Sequence, residues 1–148
     1  LAGLSMPEGA TLAPAADLPL PVAGIIRTGT RDRPGITIAA APRALVTSPV
    51  RATLLFRGPL LDYGNVIILE PAQDVLFVIA GMAEAFGQPG EIIEAGAPLG
   101  LMGGDIGMDD ATSRHNQAID AGQTTQPLYL EVRGGQGPVS PDAWFALE

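Results

Sequence analysis

The chain has 148 residues, the length of one ordinary domain, and 47% of them are hydrophobic against 16% that are charged. It contains no cysteine, no lysine and one histidine, which excludes thiol nucleophiles, disulfides, Schiff-base lysines and biotin or lipoate attachment, and disfavours a catalytic zinc site. The net charge of −8 argues against nucleic acid and anionic membranes as partners.

The first residues differ in composition from the rest. Residues 1–17 are rich in alanine, proline and glycine without a sustained period, which predicts a linker or the tail of an upstream region. The domain is predicted to span residues 18–148 and to begin extended, because residues before proline avoid the helical region. No apolar run approaches the length of a membrane-spanning helix, and no signal peptide is visible. The chain begins with Leu1 and not with Met, so we expect a mature or excised fragment.

Short apolar runs rich in Ile, Val, Leu and Phe follow, separated by glycine, proline or aspartate. This spacing predicts a mainly β fold, a sandwich or barrel. The predicted strands cover residues 25–27, 36–39, 44–47, 51–57, 65–70, 75–80, 98–101 and 128–133. Only residues 82–86 and 142–147 are predicted to be helical, and both stretches are short.

Residues 103–126 form a long polar loop that interrupts this pattern. Its aspartates lack the ligand spacing of a calcium loop, and no nucleophile elbow accompanies His115. A solvated acidic loop with an exposed histidine is the favoured interpretation, although loops this long are usually functional or mobile.

Six motifs occur in a fixed order along the chain. They are LPLPVAG at residues 18–24, RPGITIAA at 33–40, GPLLDYGNVIIL at 58–69, AGAPLGLMG at 95–103, PLYLEVR at 127–133 and PVSPDAW at 138–144. Together they resemble the LytM-type (lysostaphin-like) metallopeptidase domain, in particular the EnvC-like murein hydrolase activators, over residues 18–147. The resemblance implies a LytM-type β-sandwich or barrel, similar to a duplicated hybrid motif, with short helical turns.

The zinc-ligand motifs of that family are not preserved here. Active members read H-x-G-x-D in the second motif, a histidine after the middle strand, and H-x-H in the last strand. Carried over, these positions fall on Arg33, Thr37, Gly81, Leu128 and Leu130. Arginine cannot ligate a cation, and glycine and leucine have no side-chain donor. The resemblance therefore implies a peptidase scaffold that is not an enzyme, with no catalytic residues, metal or cofactor.

The activator branch suggests what such a scaffold does. There, metal-free domains bind periplasmic N-acetylmuramoyl-L-alanine amidases and displace an autoinhibitory element during cell separation. The resemblance thus implies a periplasmic protein whose partner is an amidase. If the last strand keeps the direction it has in the enzymes, Leu128 and Leu130 line an apolar groove suited to a partner helix. The predicted groove residues are Arg33, Thr37, Tyr63, Gly81, Leu128 and Leu130.

Three alternatives remain open. Both leucines could face an ordinary core instead of a groove. The chain could be a cell-wall module that holds peptidoglycan without activating anything, through Tyr63, Asn65, Arg33 and the long loop. Least favoured is a metal-dependent peptidoglycan endopeptidase with a rebuilt metal site.

Overall fold

Antiparallel strands dominate the computed structural model, which describes residues 17–27, 35–104 and 125–146. The strands are β1 (Gly24–Arg27), β2 (Ile36–Ala40), β3 (Leu45–Thr47), β4 (Ala52–Leu60), β5 (Gly64–Ala72), β6 (Val75–Met82), β7 (Glu84–Ala85), β8 (Ile92–Ile93), β9 (Pro98–Leu101), β10 (Gln126–Gly134) and β11 (Gly137–Val139). The mainly β prediction is confirmed, and each predicted strand is found within a few residues of its place.

The larger sheet has eight strands in the order β1-β2-β10-β6-β5-β4-β8, with β11 paired to β10. The last long strand, β10, lies between β2 and β6 and is antiparallel to both. Strands far apart in the sequence therefore meet at the middle of this sheet.

A second sheet of three strands, in the order β3-β9-β7, contains most of the segment predicted to be helical at residues 82–86, and Met82 at its start is the last residue of β6. That prediction is wrong. Glu84 pairs with Leu101, and the backbone N–H of Phe86 donates to the Leu99 carbonyl at 2.8 Å. The weak local preference of a five-residue stretch is overridden by pairing with β9.

The predicted C-terminal helix is a single 3₁₀ turn, Pro141–Ala143. After it, Trp144 and Phe145 are buried against Phe77, with ring centroids at 5.7 and 5.1 Å. Leu18 forms a bridge with Phe145, so both ends of the described chain are attached to one core.

The two faces of the larger sheet differ in how they are buried. One, which we call the core face, packs inside the molecule; the other, the outer face, carries a small cluster of Val66, Ala80 and Tyr129. Side chains alternate between faces along each strand. The core face is formed by Ile36, Ile38, Ile67, Leu69, Phe77, Ile79, Leu128, Leu130 and Val132.

Several predictions fall outside the described residues. They concern the linker at residues 1–16, most of the loop at residues 103–126 with its His115, and Arg33. Among the residues that are described, no helix is long and apolar enough to cross a membrane.

Candidate functional site

A cavity of about 320 Å³ opens on the outer face, where β2, β10 and β6 meet the turn between β4 and β5. Cross-strand pairing brings its central residues together, because Tyr129 lies opposite Thr37 on one side and Ala80 on the other. The described lining residues are Thr37, Asp62, Tyr63, Gly64, Ala80, Gly81, Gln126, Pro127 and Tyr129.

Tyr129 is a nearly buried part of the cavity wall and is held by defined hydrogen bonds. The backbone N–H of Gly35 donates to its hydroxyl at 3.1 Å, and the hydroxyl donates to Glu131 Oε1 at 2.8 Å. Arg133 Nη1 in turn donates to Glu131 Oε2 at 2.6 Å. This chain of contacts fixes the phenol and keeps the buried Gly35 N–H satisfied.

Glycines at positions 35 and 81 allow backbones to approach closely around the cavity. A Cβ at Gly35 would collide with the Leu130 carbonyl, and a Cβ at Gly81 would lie 2.6 Å from the Pro127 carbonyl oxygen. Gly81 also has a φ of 115°, which side chains with a Cβ rarely adopt. Both positions therefore require glycine in this backbone.

The turn between β4 and β5 forms one rim of the cavity. It is closed by a hydrogen bond from the Tyr63 N–H to the Leu60 carbonyl at 3.0 Å, with Asp62 at a φ of 72°. Asparagine and aspartate tolerate this left-handed region better than most residues. Asn65 Nδ2 donates to the Met82 carbonyl at 3.2 Å and to the Ala83 carbonyl at 2.8 Å. These two hydrogen bonds attach the rim to the end of β6, directly after Gly81.

Three of the predicted groove residues, Thr37, Tyr63 and Gly81, come together at this cavity. The prediction that Leu128 and Leu130 line an open groove is wrong, since both are completely buried in the core. The reason is strand alternation: Leu128 and Leu130 share the core face, and the cavity receives their neighbours.

The match of the family's H-x-H motif to this sequence must therefore be moved by one residue, from positions 128 and 130 to positions 127 and 129. Three residues of β10 line the cavity, Gln126, Pro127 and Tyr129. Pro127 and Tyr129 have the spacing of H-x-H, so these two replace Leu128 and Leu130 as counterparts of the histidines. Sequence reasoning missed both residues, together with Gln126 and Asp62. The signal was present in residues 128–133, where Leu, Leu and Val alternate with Tyr, Glu and Arg; the apolar set of such a strand belongs in the core.

The described residues at this site do not fit a zinc ion. Zinc in proteins is held by imidazole, thiolate and carboxylate groups. Here the counterparts of the ligands are a threonine, a glycine, a proline and a tyrosine that is already hydrogen-bonded. Across the part of the chain that the structure describes, no three His, Cys, Asp or Glu side chains are grouped to hold a metal.

Comparison with known proteins agrees with the fold. The profile of the family described as "Peptidase family M23" matches residues 31–141. An uncharacterized protein of Neisseria meningitidis serogroup B, NMB1333, is 24% identical over 143 residues, which cover 97% of this chain and 21% of that protein.

Solved structures share the same architecture at low identity. A putative M23 peptidase from Pseudomonas aeruginosa superposes with a TM-score of 0.69 at 14% identity, over 93% of this chain and 54% of that chain. A chain of the SpoIIQ–SpoIIIAH pore-forming complex gives a TM-score of 0.61 at 13% identity, over 88% and 92%. This chain thus spans about a fifth of the Neisseria relative and about half of the Pseudomonas chain.

Proposed function

This chain belongs to peptidase family M23, and from that membership we propose that it is a non-catalytic member, which binds and activates a periplasmic N-acetylmuramoyl-L-alanine amidase during cell separation. The observation that carries the proposal is the chemistry of the cavity. Thr37, Gly81, Pro127 and Tyr129 surround it at the positions where the family resemblance puts metal ligands. A scaffold kept without these ligands favours binding over hydrolysis.

The details around Tyr129 support a structural role for this residue. Its hydroxyl is already engaged in hydrogen bonds with the Gly35 N–H and the Glu131 carboxylate. A histidine at position 81 would need a different backbone, because a Cβ there meets the Pro127 carbonyl. Replacing single residues would therefore not rebuild a metal site.

The rim supports a binding role. Leu60, Leu61 and Tyr63 are exposed beside the cavity, and exposed apolar groups grouped at a concave site are typical of protein-binding surfaces. The neighbour from the SpoIIQ–SpoIIIAH complex is, by its description, part of a protein assembly. Use of this fold for protein contacts is consistent with that relative.

Dye release from labelled sacculi tests the proposal. The domain alone should release no dye above the buffer control, and it should stimulate the amidase encoded in the same genome. An M23 peptidase with intact H-x-G-x-D and H-x-H motifs serves as the positive control for hydrolysis. Dye release by the domain alone, or no stimulation of the amidase, would contradict the proposal.

A second candidate is a peptidoglycan-binding module without activating function. It is favoured by Tyr63, a half-exposed aromatic residue that lines the same cavity as Gln126 and Thr37. Aromatic faces combined with polar groups suit a polar ligand. Co-sedimentation of the domain with purified sacculi, without any protein partner, would support this alternative.

A further inference from the structure

The tip of the β4–β5 hairpin exposes apolar side chains at the rim of the cavity. Leu61 is 87% exposed and Leu60 is 47% exposed, while Tyr63 of the same turn is 41% exposed and lines the cavity. Single exposed leucines are common on protein surfaces, but here two adjacent ones belong to the turn whose Tyr63 lines the cavity.

This exposure belongs to an ordered turn. The Tyr63 N–H to Leu60 carbonyl bond closes it, and Asn65 attaches the start of β5 to the end of β6. The leucines are therefore presented by a preorganised backbone. Preorganisation lowers the entropy lost when an exposed side chain becomes an interface anchor.

The charge next to the leucines favours a basic group on the partner. Asp62 is the charged side chain among the described residues that line the cavity, and it lies directly after Leu61. The whole chain carries a net charge of −8. A basic group on the partner would complement this rim, and complementary charges determine orientation and association rate.

We propose that this turn is the anchor by which the domain holds its amidase: Leu61 enters an apolar recess of a segment whose lysine or arginine pairs with Asp62. The inference rests on the proposed function and names the contact that it requires. The segment is expected to be amphipathic, with apolar residues against Leu60, Leu61 and Tyr63 and basic residues at the rim.

Two substitutions separate the apolar contact from the ionic contact. Leu61→Ser removes the anchor at an exposed position, and Asp62→Asn removes the charge while keeping a residue that tolerates the left-handed turn. Leu45→Ser is the matched control, because Leu45 is 50% exposed and lies on β3 in the other sheet. Affinity for the purified amidase, dye release with that amidase, and melting temperature are measured for each variant.

Leu61→Ser should weaken binding by about ten- to a hundredfold, because the complex loses the burial of one leucine side chain. The melting temperature of the free domain should be unchanged, since Leu61 is exposed there. Asp62→Asn should weaken binding several-fold at low salt and little at high salt. Leu45→Ser should bind as the wild type does. Wild-type affinity and stimulation in both turn variants would overturn this inference and leave the proposed function standing. Loss of sacculus binding or of self-association as the sole effect of Leu61→Ser would likewise overturn only this inference. No binding of the amidase by the wild type would overturn both.

Discussion

At the scale of single residues, Tyr129 connects the cavity to the stability of the sheet. Its hydroxyl accepts the bond from the buried Gly35 N–H and donates to Glu131. We predict that Tyr129→Phe lowers the free energy of unfolding by about 1–3 kcal/mol, because a buried donor loses its partner. Urea denaturation measures the loss, with Tyr63→Phe at the half-exposed tyrosine as the control. Equal, small losses in both variants would contradict this role.

Gly81 shows how closely the backbone is packed where the family has a ligand. We predict that Gly81→Ala costs about 2–4 kcal/mol, from the φ of 115° and the approach to the Pro127 carbonyl. Gly90→Ala measures the cost of the positive φ alone, since Gly90 has a φ of 93° and a Cβ there would have no atom within 4 Å. Its cost should be about 1 kcal/mol. Thermal denaturation of both variants measures the difference between the two losses of stability. If the Gly81 variant were no less stable than the Gly90 variant, the close approach to the Pro127 carbonyl would not be costly.

At the scale of elements, β10 decides which residues face the cavity. Leu130 is completely buried on the core face, so Leu130→Ala should cost about 2–5 kcal/mol. Leu55→Ala, at a 43% exposed position of β4 in the same sheet, should cost much less. Denaturant unfolding measures both losses of stability from the shift of the midpoint, provided that the dependence of the unfolding free energy on denaturant concentration is unchanged. A mild effect at Leu130 would mean that this side chain does not support the core.

A charged substitution at Leu130 therefore cannot distinguish binding hypotheses, because it would unfold the domain instead of altering a groove. An exposed residue such as Leu61 serves that purpose. The correction follows from the period of two along a strand: a shift of one residue in matching a motif transfers every side chain to the opposite face.

The same elements show how much the sequence predicts. Apolar runs with turn residues between them locate the long strands well, because β-branched residues and turn formers act locally. The segment around Glu84 was mispredicted because its partner, β9, contributes the deciding bonds. The position of β10 between β2 and β6 is likewise a long-range property. The cavity is formed by paired strands and by the side chains that point to one face of each strand. The order of the motifs was therefore enough to indicate Thr37, Tyr63 and Gly81, but it did not indicate Tyr129.

At the scale of the whole molecule, the contacts that stabilise the fold are made by the protein's own side chains and backbone. They include the closely packed glycines, the hydrogen bonds of Tyr129 and the aromatic contacts of Phe77 with Trp144 and Phe145. An ordinary hydrophobic core of this size is sufficient to stabilise a domain. Stability should therefore not depend on zinc.

A ligand that binds only the folded state raises its stability in proportion to the logarithm of the ligand concentration. A zinc site with a Kd of about 1 μM would add about 2.7 kcal/mol at about 100 μM zinc. For a chain of this length, that corresponds to a melting temperature higher by roughly 5–10 °C. We predict that the melting temperature is the same with zinc and with EDTA, since Thr37, Gly81, Pro127 and Tyr129 are poor zinc ligands. An M23 peptidase with intact histidine motifs, measured in parallel, should be destabilised by EDTA. A zinc-dependent rise of several degrees in this chain would favour a rebuilt metal site, and with it the endopeptidase alternative.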